Sequence, residues 1–160
     1  MAEYSFRALT PADEALFKGW LAEPHIDGWW GDGATEWALV AADFDNPAIS
    51  MQLACVDGTP FAYVQDYDAF HWPMPQYSDA PEGARALDTF LGNPRFLGQG
   101  HGAGYLAARL AQLRPRHPRV LTDPDVKNTR AIRAYSRAGF RPHKIAPCED
   151  GDPVQVMVFP

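Results

Sequence analysis

The run Leu97-Gly98-Gln99-Gly100-His101-Gly102-Ala103-Gly104 constrains this chain more than any other part of it. Glycines at alternate positions free the backbone to turn sharply, and a periodic apolar segment starts directly behind them, so the run reads as a turn that opens a helix. Successive backbone N–H groups at such a start can wrap a phosphate or pyrophosphate and present it with the positive end of the helix dipole. No side chain holds such a ligand off at the glycines. Further on come an extended segment, Val120-Leu121-Thr122-Asp123, and a second helical pattern spaced Asn128, Ala131, Tyr135, Gly139-Phe140. That spacing puts an amide and a phenol two turns apart on one face.

Other readings of the turn stand beside this one. Gly98, Gly100 and Ala103 also fit Gly-x-Gly-x-x-Gly/Ala, with Asp123 as a downstream acid, as in dinucleotide-binding folds. That fingerprint wants its first glycine directly behind the first strand, whereas Gly92-Asn93-Pro94-Arg95-Phe96 intervenes here. A purely structural glycine turn is the third reading. No Gly-Lys-Ser/Thr follows, so the run is not a P-loop.

At 160 residues the chain reads as one domain, residues 1–160, large enough to bury roughly two-thirds of its unfolded surface. No stretch approaches the roughly 20 apolar residues of a membrane span. Met1-Ala2-Glu3-Tyr4 lacks the basic-then-apolar start of a signal peptide, and the expectation is a soluble cytoplasmic protein. Cys55 and Cys148 are too few for a disulfide framework or a zinc site, and Cys55 reads as a small core residue. A net charge of −6 argues against a nucleic-acid partner and favours a cationic one. His25, Asp27 and Asp32 have no ligand spacing backed by a third residue, so no metal is expected. His101 receives no role.

The pattern along the chain predicts a mixed α/β domain without repeats or an evident linker. Tyr4 to Ala8 reads as a strand, and Thr10-Pro11-Ala12-Asp13 starts a helix whose apolar face is Leu16, Phe17, Trp20 and Leu21. Thr35 is read as the cap of a second helix through Phe44, ended by Asn46-Pro47. The period then changes to two, with Ile49, Met51, Leu53 and Cys55 on one face, an Asp57-Gly58 hairpin turn and a returning strand from Phe61 to Asp66. Strand 84–91, helix 102–113, strand 119–123, helix 129–138 and two closing strands, 140–145 and 154–159, complete the order. Between Tyr67 and Gly83 lies a proline-stiffened loop carrying Tyr67, Asp68, Phe70, His71, Trp72, Tyr77, Asp79 and Glu82. Aromatic faces and carboxylates together suit a sugar ring bearing ammonium groups.

The loop and the Asn-x-x-Ala-x-x-x-Tyr-x-x-x-Gly-Phe helix resemble the GNAT superfamily of N-acetyltransferases, although Leu97 stands where that family often carries Arg or Gln. Gly28-Trp29-Trp30-Gly31, Tyr63-Val64-Gln65-Asp66-Tyr67, Leu87-Asp88-Thr89-Phe90 and Thr122-Asp123-Pro124 narrow the resemblance to the aminoglycoside 6′-N-acetyltransferase branch, associated with antibiotic resistance. The resemblance implies a central, mostly antiparallel twisted sheet with a parallel pair splayed at the cofactor cleft and about four helices. It implies acetyl-CoA as cofactor, held by Thr89, Phe90, Leu91, Gln99, Gly100, Gly102, Ala103, Gly104, Asn128 and Tyr135. The partner it implies is a small-molecule amine, lined by Trp30, Gln65, Asp66, Tyr67, Asp79, Glu82, Asp88 and Asp123, with no nucleic acid or membrane and a monomeric or homodimeric protein. Siderophore-pathway (hydroxy)lysine N-acyltransferases share much of the framework but tend to carry a His near the Asp88 strand position, and no His occurs between His71 and His101. A non-catalytic acyl-CoA or polycation-binding module would keep the fold alone.

Chemistry sets the same demands. An acceptor amine is mostly ammonium at neutral pH and must lose a proton before attacking a thioester, which asks for a carboxylate; Asp88, on a strand leading into the glycine turn, is the candidate. Tyr135 is the candidate hydrogen-bond donor to the departing thiolate, and a strand N–H at Thr89 or Phe90 the donor to the thioester oxygen. Transfer is then direct, in a ternary complex.

Overall fold

The computed structural model describes residues 3–160, so Met1 and Ala2 of the chain start read above lie outside the described residues. Element order is β1 (Tyr4–Ala8), α1 (Glu14–Leu21), α2 (Gly33–Ala42), β2 (Ile49–Val56), β3 (Thr59–Asp68), β4 (Arg85–Leu91), α3 (His101–Leu113), β5 (Val120–Thr122), α4 (Thr129–Ala138), β6 (Arg141–Pro147) and β7 (Pro153–Phe159). The strands form a seven-stranded sheet in the order β1-β2-β3-β4-β5-β7-β6. The fold is mixed α/β among the described residues, with four α-helices, a parallel β4/β5 pair, and antiparallel β1/β2, β5/β7 and β6/β7 pairs, the arrangement that the resemblance implies. Among the described residues no helix is long and apolar enough to cross a membrane.

The chain forms two compact units, one holding the chain up to Gln65 together with Thr89–His101, the other Asp66–Asp88 with Gly102–Pro160. Crossings between them fall inside β3, inside β4 and at the start of α3. No composition break marks them because each crossing is regular secondary structure.

In the first unit β1 pairs antiparallel with β2, from Tyr4↔Val56 to Ala8↔Gln52. The β2–β3 turn is the expected Asp57-Gly58, with both residues at positive φ, 50° and 79°, the geometry whose twist matches paired strands. Phe17, Trp20 and Leu21 of α1 are buried with Leu53, Tyr63 and Phe90. Phe17 meets the edge of Tyr63 at 5.0 Å between ring centroids. Gly92 is required just beyond β4, since a Cβ there would lie 2.2 Å from the Trp20 ring. The cap of α2 is a correction: Asp32, not Thr35, is the N-cap, its Oδ1 accepting the Thr35 N–H at 2.9 Å, and the helix ends at Ala42 before Phe44. Asp and Thr are both good caps, and starting three residues earlier gives the helix an anionic residue at its positive end.

In the second unit β5 pairs antiparallel with β7, and β7 with β6. The parallel β4/β5 register covers Arg85↔Val120 and Ala86↔Leu121, and β4 runs on through Asp88 beyond it. Helix α4 starts at Thr129 and stops at Gly139, φ 116°, as the sequence predicts, and Asn128, read in the sequence as the first residue of the helical spacing, is its N-cap.

Candidate active site

Asp88 lies on β4 past the end of the parallel register, half-buried. The Tyr67 hydroxyl donates to its Oδ2 at 3.0 Å and also lies 3.6 Å from the Met74 sulfur. Burial, then the Asp88 charge, pushes the Tyr67 phenol far above its ordinary range, so it remains a donor at any working pH. Directly after β5 comes Asp123. Its Oδ2 accepts a hydrogen bond from Gln76 Nε2 at 2.8 Å, and the same nitrogen donates to Glu149 Oε2 at 2.7 Å. Burial first, then repulsion from Asp88 and from Glu149, raises the Asp123 carboxyl to about 7 in spite of the Gln76 hydrogen bond.

Gln76 is fully buried, and its Oε1 has no partner. Tyr77 is buried beside it, with its hydroxyl near Asp123 but without a bond of good geometry. Asp88, Asp123 and Glu149 are therefore gathered around neutral donors, which solvate carboxylates without cancelling their charge. Such a group attracts a ligand carrying more than one ammonium. Gln76 and Glu149 carried no signal in the sequence, because they reach Asp123 from positions 47 residues away, for Gln76, and 73 residues from each other.

Asp66, expected to line the acceptor pocket, is corrected by the structure. It is 1 % exposed, and Arg85 Nε meets its Oδ1 at 2.9 Å while Arg109 Nη2 meets its Oδ2 at 2.7 Å. Two guanidiniums already balance its charge, so it is a structural ion-pair centre. Asp79 is diverted in a milder way: His143 and Lys144 bond its two carboxylate oxygens at 2.8 and 3.1 Å on the surface, and His143 first, then Lys144, hold its carboxyl below the usual range. Glu82 is exposed.

Tyr135, on α4, is buried, its ring edge-on to Phe140 at 5.4 Å, and burial drives its phenol well above the ordinary range. It is a hydrogen-bond donor that keeps its proton. Asn128 spends its Oδ1 on capping α4 through the Ala131 N–H, leaving the Nδ2 donors.

The first unit holds the other expected residues. Trp30 packs edge-on to Phe90 at 4.9 Å and to Tyr63 at 6.3 Å, and Gln65 accepts the Tyr63 hydroxyl at 2.7 Å. The Thr89 hydroxyl donates to the Tyr63 carbonyl at 2.6 Å, and His25 Nε2 to the Leu91 carbonyl at 2.8 Å, which fixes β4 as it approaches the glycine turn. In that turn Gly98 and Gly100 have φ of 70° and 81°, and a Cβ at either would meet nothing within 4 Å. Open space beside left-handed backbone at this helix start leaves room for an anion next to the α3 N–H groups. Gln99 folds back, its Nε2 donating to the Arg95 carbonyl at 2.7 Å. Gly102, Ala103 and Gly104 form the first turn of α3.

Known proteins resemble this chain in sequence and in fold. The aminoglycoside N(6')-acetyltransferase type 1 of Klebsiella pneumoniae is 28% identical over 163 residues, covering 96% of this chain and 81% of that protein. A kanamycin resistance protein of Rhizobium radiobacter is 35% identical over 77 residues, 47% of this chain and 71% of that protein. The crystal structure of aminoglycoside acetyltransferase AAC(6')-Ib in complex with coenzyme A and kanamycin matches with a TM-score of 0.82 at 29% identity, covering 98% of this chain and 94% of that one. Another structure of AAC(6')-Ib, in complex with paromomycin and acetyl-CoA, matches with a TM-score of 0.82 at 29% identity over 98% of this chain and 92% of that one. Residues 10–147 match the Acetyltransferase (GNAT) domain, and the chain belongs to the GNAT acetyltransferase family.

Proposed function

We propose that residues 1–160 act as one acetyl-CoA-dependent N-acetyltransferase domain that acylates a primary amine of a polycationic small molecule, an aminoglycoside-like sugar at its 6′-amine. The observation that carries this reading is the gathering of Asp88, Asp123 and Glu149 around Tyr67 and Gln76. Open space at Gly98 and Gly100 fits a pyrophosphate, and Asn128 and Tyr135 supply further donors. Gly102, Ala103 and Gly104 add the N–H groups of the first α3 turn, and Thr89 to Leu91 the strand edge expected to pair with the pantetheine. Acetyl-CoA supplies the acetyl group as a thioester.

Asp88 receives or relays the proton of the acceptor ammonium, so that the nitrogen lone pair is free to form the new N–C bond. Tyr67, donating to Oδ2, holds that carboxylate in place. Asp123 and Glu149 anchor a second ammonium and so orient the acceptor. A backbone N–H at Thr89 or Phe90 would hydrogen-bond the thioester oxygen. Tyr135, keeping its own proton, would hydrogen-bond the sulfur; of the two protons the nitrogen sheds, one would go to Asp88 and the other would end on the thiol. No residue becomes covalently acylated. The reading places the protein in the cytoplasm, where acetyl-CoA is at hand, as a monomer or homodimer that engages neither nucleic acid nor membrane.

The test is a thiol-release assay with acetyl-CoA across aminoglycosides, polyamines and hydroxylated lysines. Release with aminoglycosides that carry a 6′-amine is expected. Release with hydroxylated lysine alone would move the protein to the siderophore-type acyltransferases. Binding of acetyl-CoA without release for any amine would leave a binding module.

A further inference from the structure

His101 stands between Gly100 and Gly102 as the first residue of α3, and its side chain is half-buried. Its Nδ1 is 2.9 Å from the Tyr4 hydroxyl on β1. Three rings enclose the imidazole: Phe96 at 5.2 Å between centroids, Phe61 at 5.6 Å and Tyr4, edge-on, at 5.9 Å. Phe61 and Phe96 are themselves stacked, 4.9 Å apart with planes 23° from parallel. This cage is built on fixed parts, since Tyr4 is paired with Val56 in the sheet and Phe61 is fully buried on β3.

A cradle made of glycine is floppy when empty. Each glycine loses more conformational entropy on ordering than any other residue, so a run with Gly98, Gly100 and Gly102 has weak affinity for a pyrophosphate unless something else fixes its backbone. The cage does this through His101, one of the two side chains set among those three glycines, the other being Gln99, whose Nε2 is tied back to the Arg95 carbonyl.

We propose that His101 is a positioning residue for the cofactor: clamped by the Tyr4 hydroxyl and the Phe61/Phe96 pair, it preorganises the Gly98–Gly102 backbone for the pyrophosphate of CoA. This rests on the acetyl-CoA reading of the site. The chemistry is local to the pyrophosphate, which gives a selective assay. Acetyl-pantetheine carries the same thioester on the same pantetheine arm and has no pyrophosphate.

Tyr4→Phe and His101→Phe keep the rings and remove the hydrogen bond, so both proteins should fold with melting temperatures close to the parent. Each should raise the KM for acetyl-CoA about fivefold, the worth of one net hydrogen bond, with kcat and the acceptor KM unchanged. The double variant should be no worse than either single one, because one shared bond is lost. Turnover of acetyl-pantetheine should not change. Equal losses with both thioesters, additive losses in the double variant, or an unchanged KM for acetyl-CoA would each overturn the proposal. A parent protein that does not bind acetyl-CoA overturns the cofactor reading and this one together, whereas a parent that binds it and variants that bind it equally well overturn this one alone.

Discussion

Replacing Asp123 by Asn should make the free protein more stable and the enzyme worse. Folding raises the Asp123 carboxyl from 3.8 in an unconstrained chain to about 7, because the side chain is buried beside Asp88 and Glu149. That displacement corresponds to at most about 4 kcal/mol. The folded value lies above the unfolded one, so the native state binds the proton more tightly. The penalty is therefore absent below pH 3.8, grows as the pH rises, and stands in full above about pH 7. Asn carries no charge and escapes it, while its carbonyl can still accept the Gln76 N–H. Some of the gain is lost because Asp123 keeps partial contact with water and the new hydrogen bond is neutral, which leaves about 1–3 kcal/mol at pH 8. Urea unfolding of both proteins between pH 4 and 8.5 measures this directly. The difference should be near zero at the acid end and open toward pH 8. Acceptor affinity should meanwhile fall by about 1–2 kcal/mol, one charge-assisted hydrogen bond made neutral, with CoA affinity unchanged. A variant less stable than the parent at pH 8, or a stability difference independent of pH, would refute the account of a site held at the expense of stability.

Three further outcomes follow from the same geometry. Asp88→Asn keeps the Tyr67 hydrogen bond but cannot take the ammonium proton, so kcat should drop by about 10²-fold or more with the CoA dissociation constant near that of the parent; full turnover would hand the proton to another group. Gly100→Asp puts a side chain on backbone at φ 81° and a negative charge into the pyrophosphate cradle, so calorimetry on the folded variant should detect no CoA binding. Arg109→Ala leaves the buried Asp66 carboxylate with Arg85 as its remaining cation, and chemical unfolding should register a loss of about 3–5 kcal/mol, whereas a loss below about 1 kcal/mol would mean that Arg85 alone satisfies it.

Asp66 and Asp88 show where reading from residues ends. Both are strand aspartates with an apolar or aromatic residue on one side, Tyr67 after Asp66 and Leu87 before Asp88, and the sequence offers each the same candidacy for the acceptor pocket. Their fates diverge because Arg109, 43 residues beyond Asp66, reaches its carboxylate, while Asp88 is met by the Tyr67 hydroxyl. The cap of α2 lies three residues before the expected Thr35, at Asp32, since both residue types suit the job. The Asp57-Gly58 turn and the Gly139 stop were legible, each being a contact within a few residues.

The sequence by itself determined the element order, the helix-opening glycine turn and the stop of α4 at Gly139, because periodicity, capping and turn chemistry act over distances shorter than one helix. Only the tertiary structure decided which carboxylates meet guanidinium and ammonium groups and which meet neutral donors. Burial and pairing depend on partners far away in the chain, and these partners neutralised Asp66, occupied Asp79 and gathered Asp123, Glu149 and Asp88 around Gln76 and Tyr67.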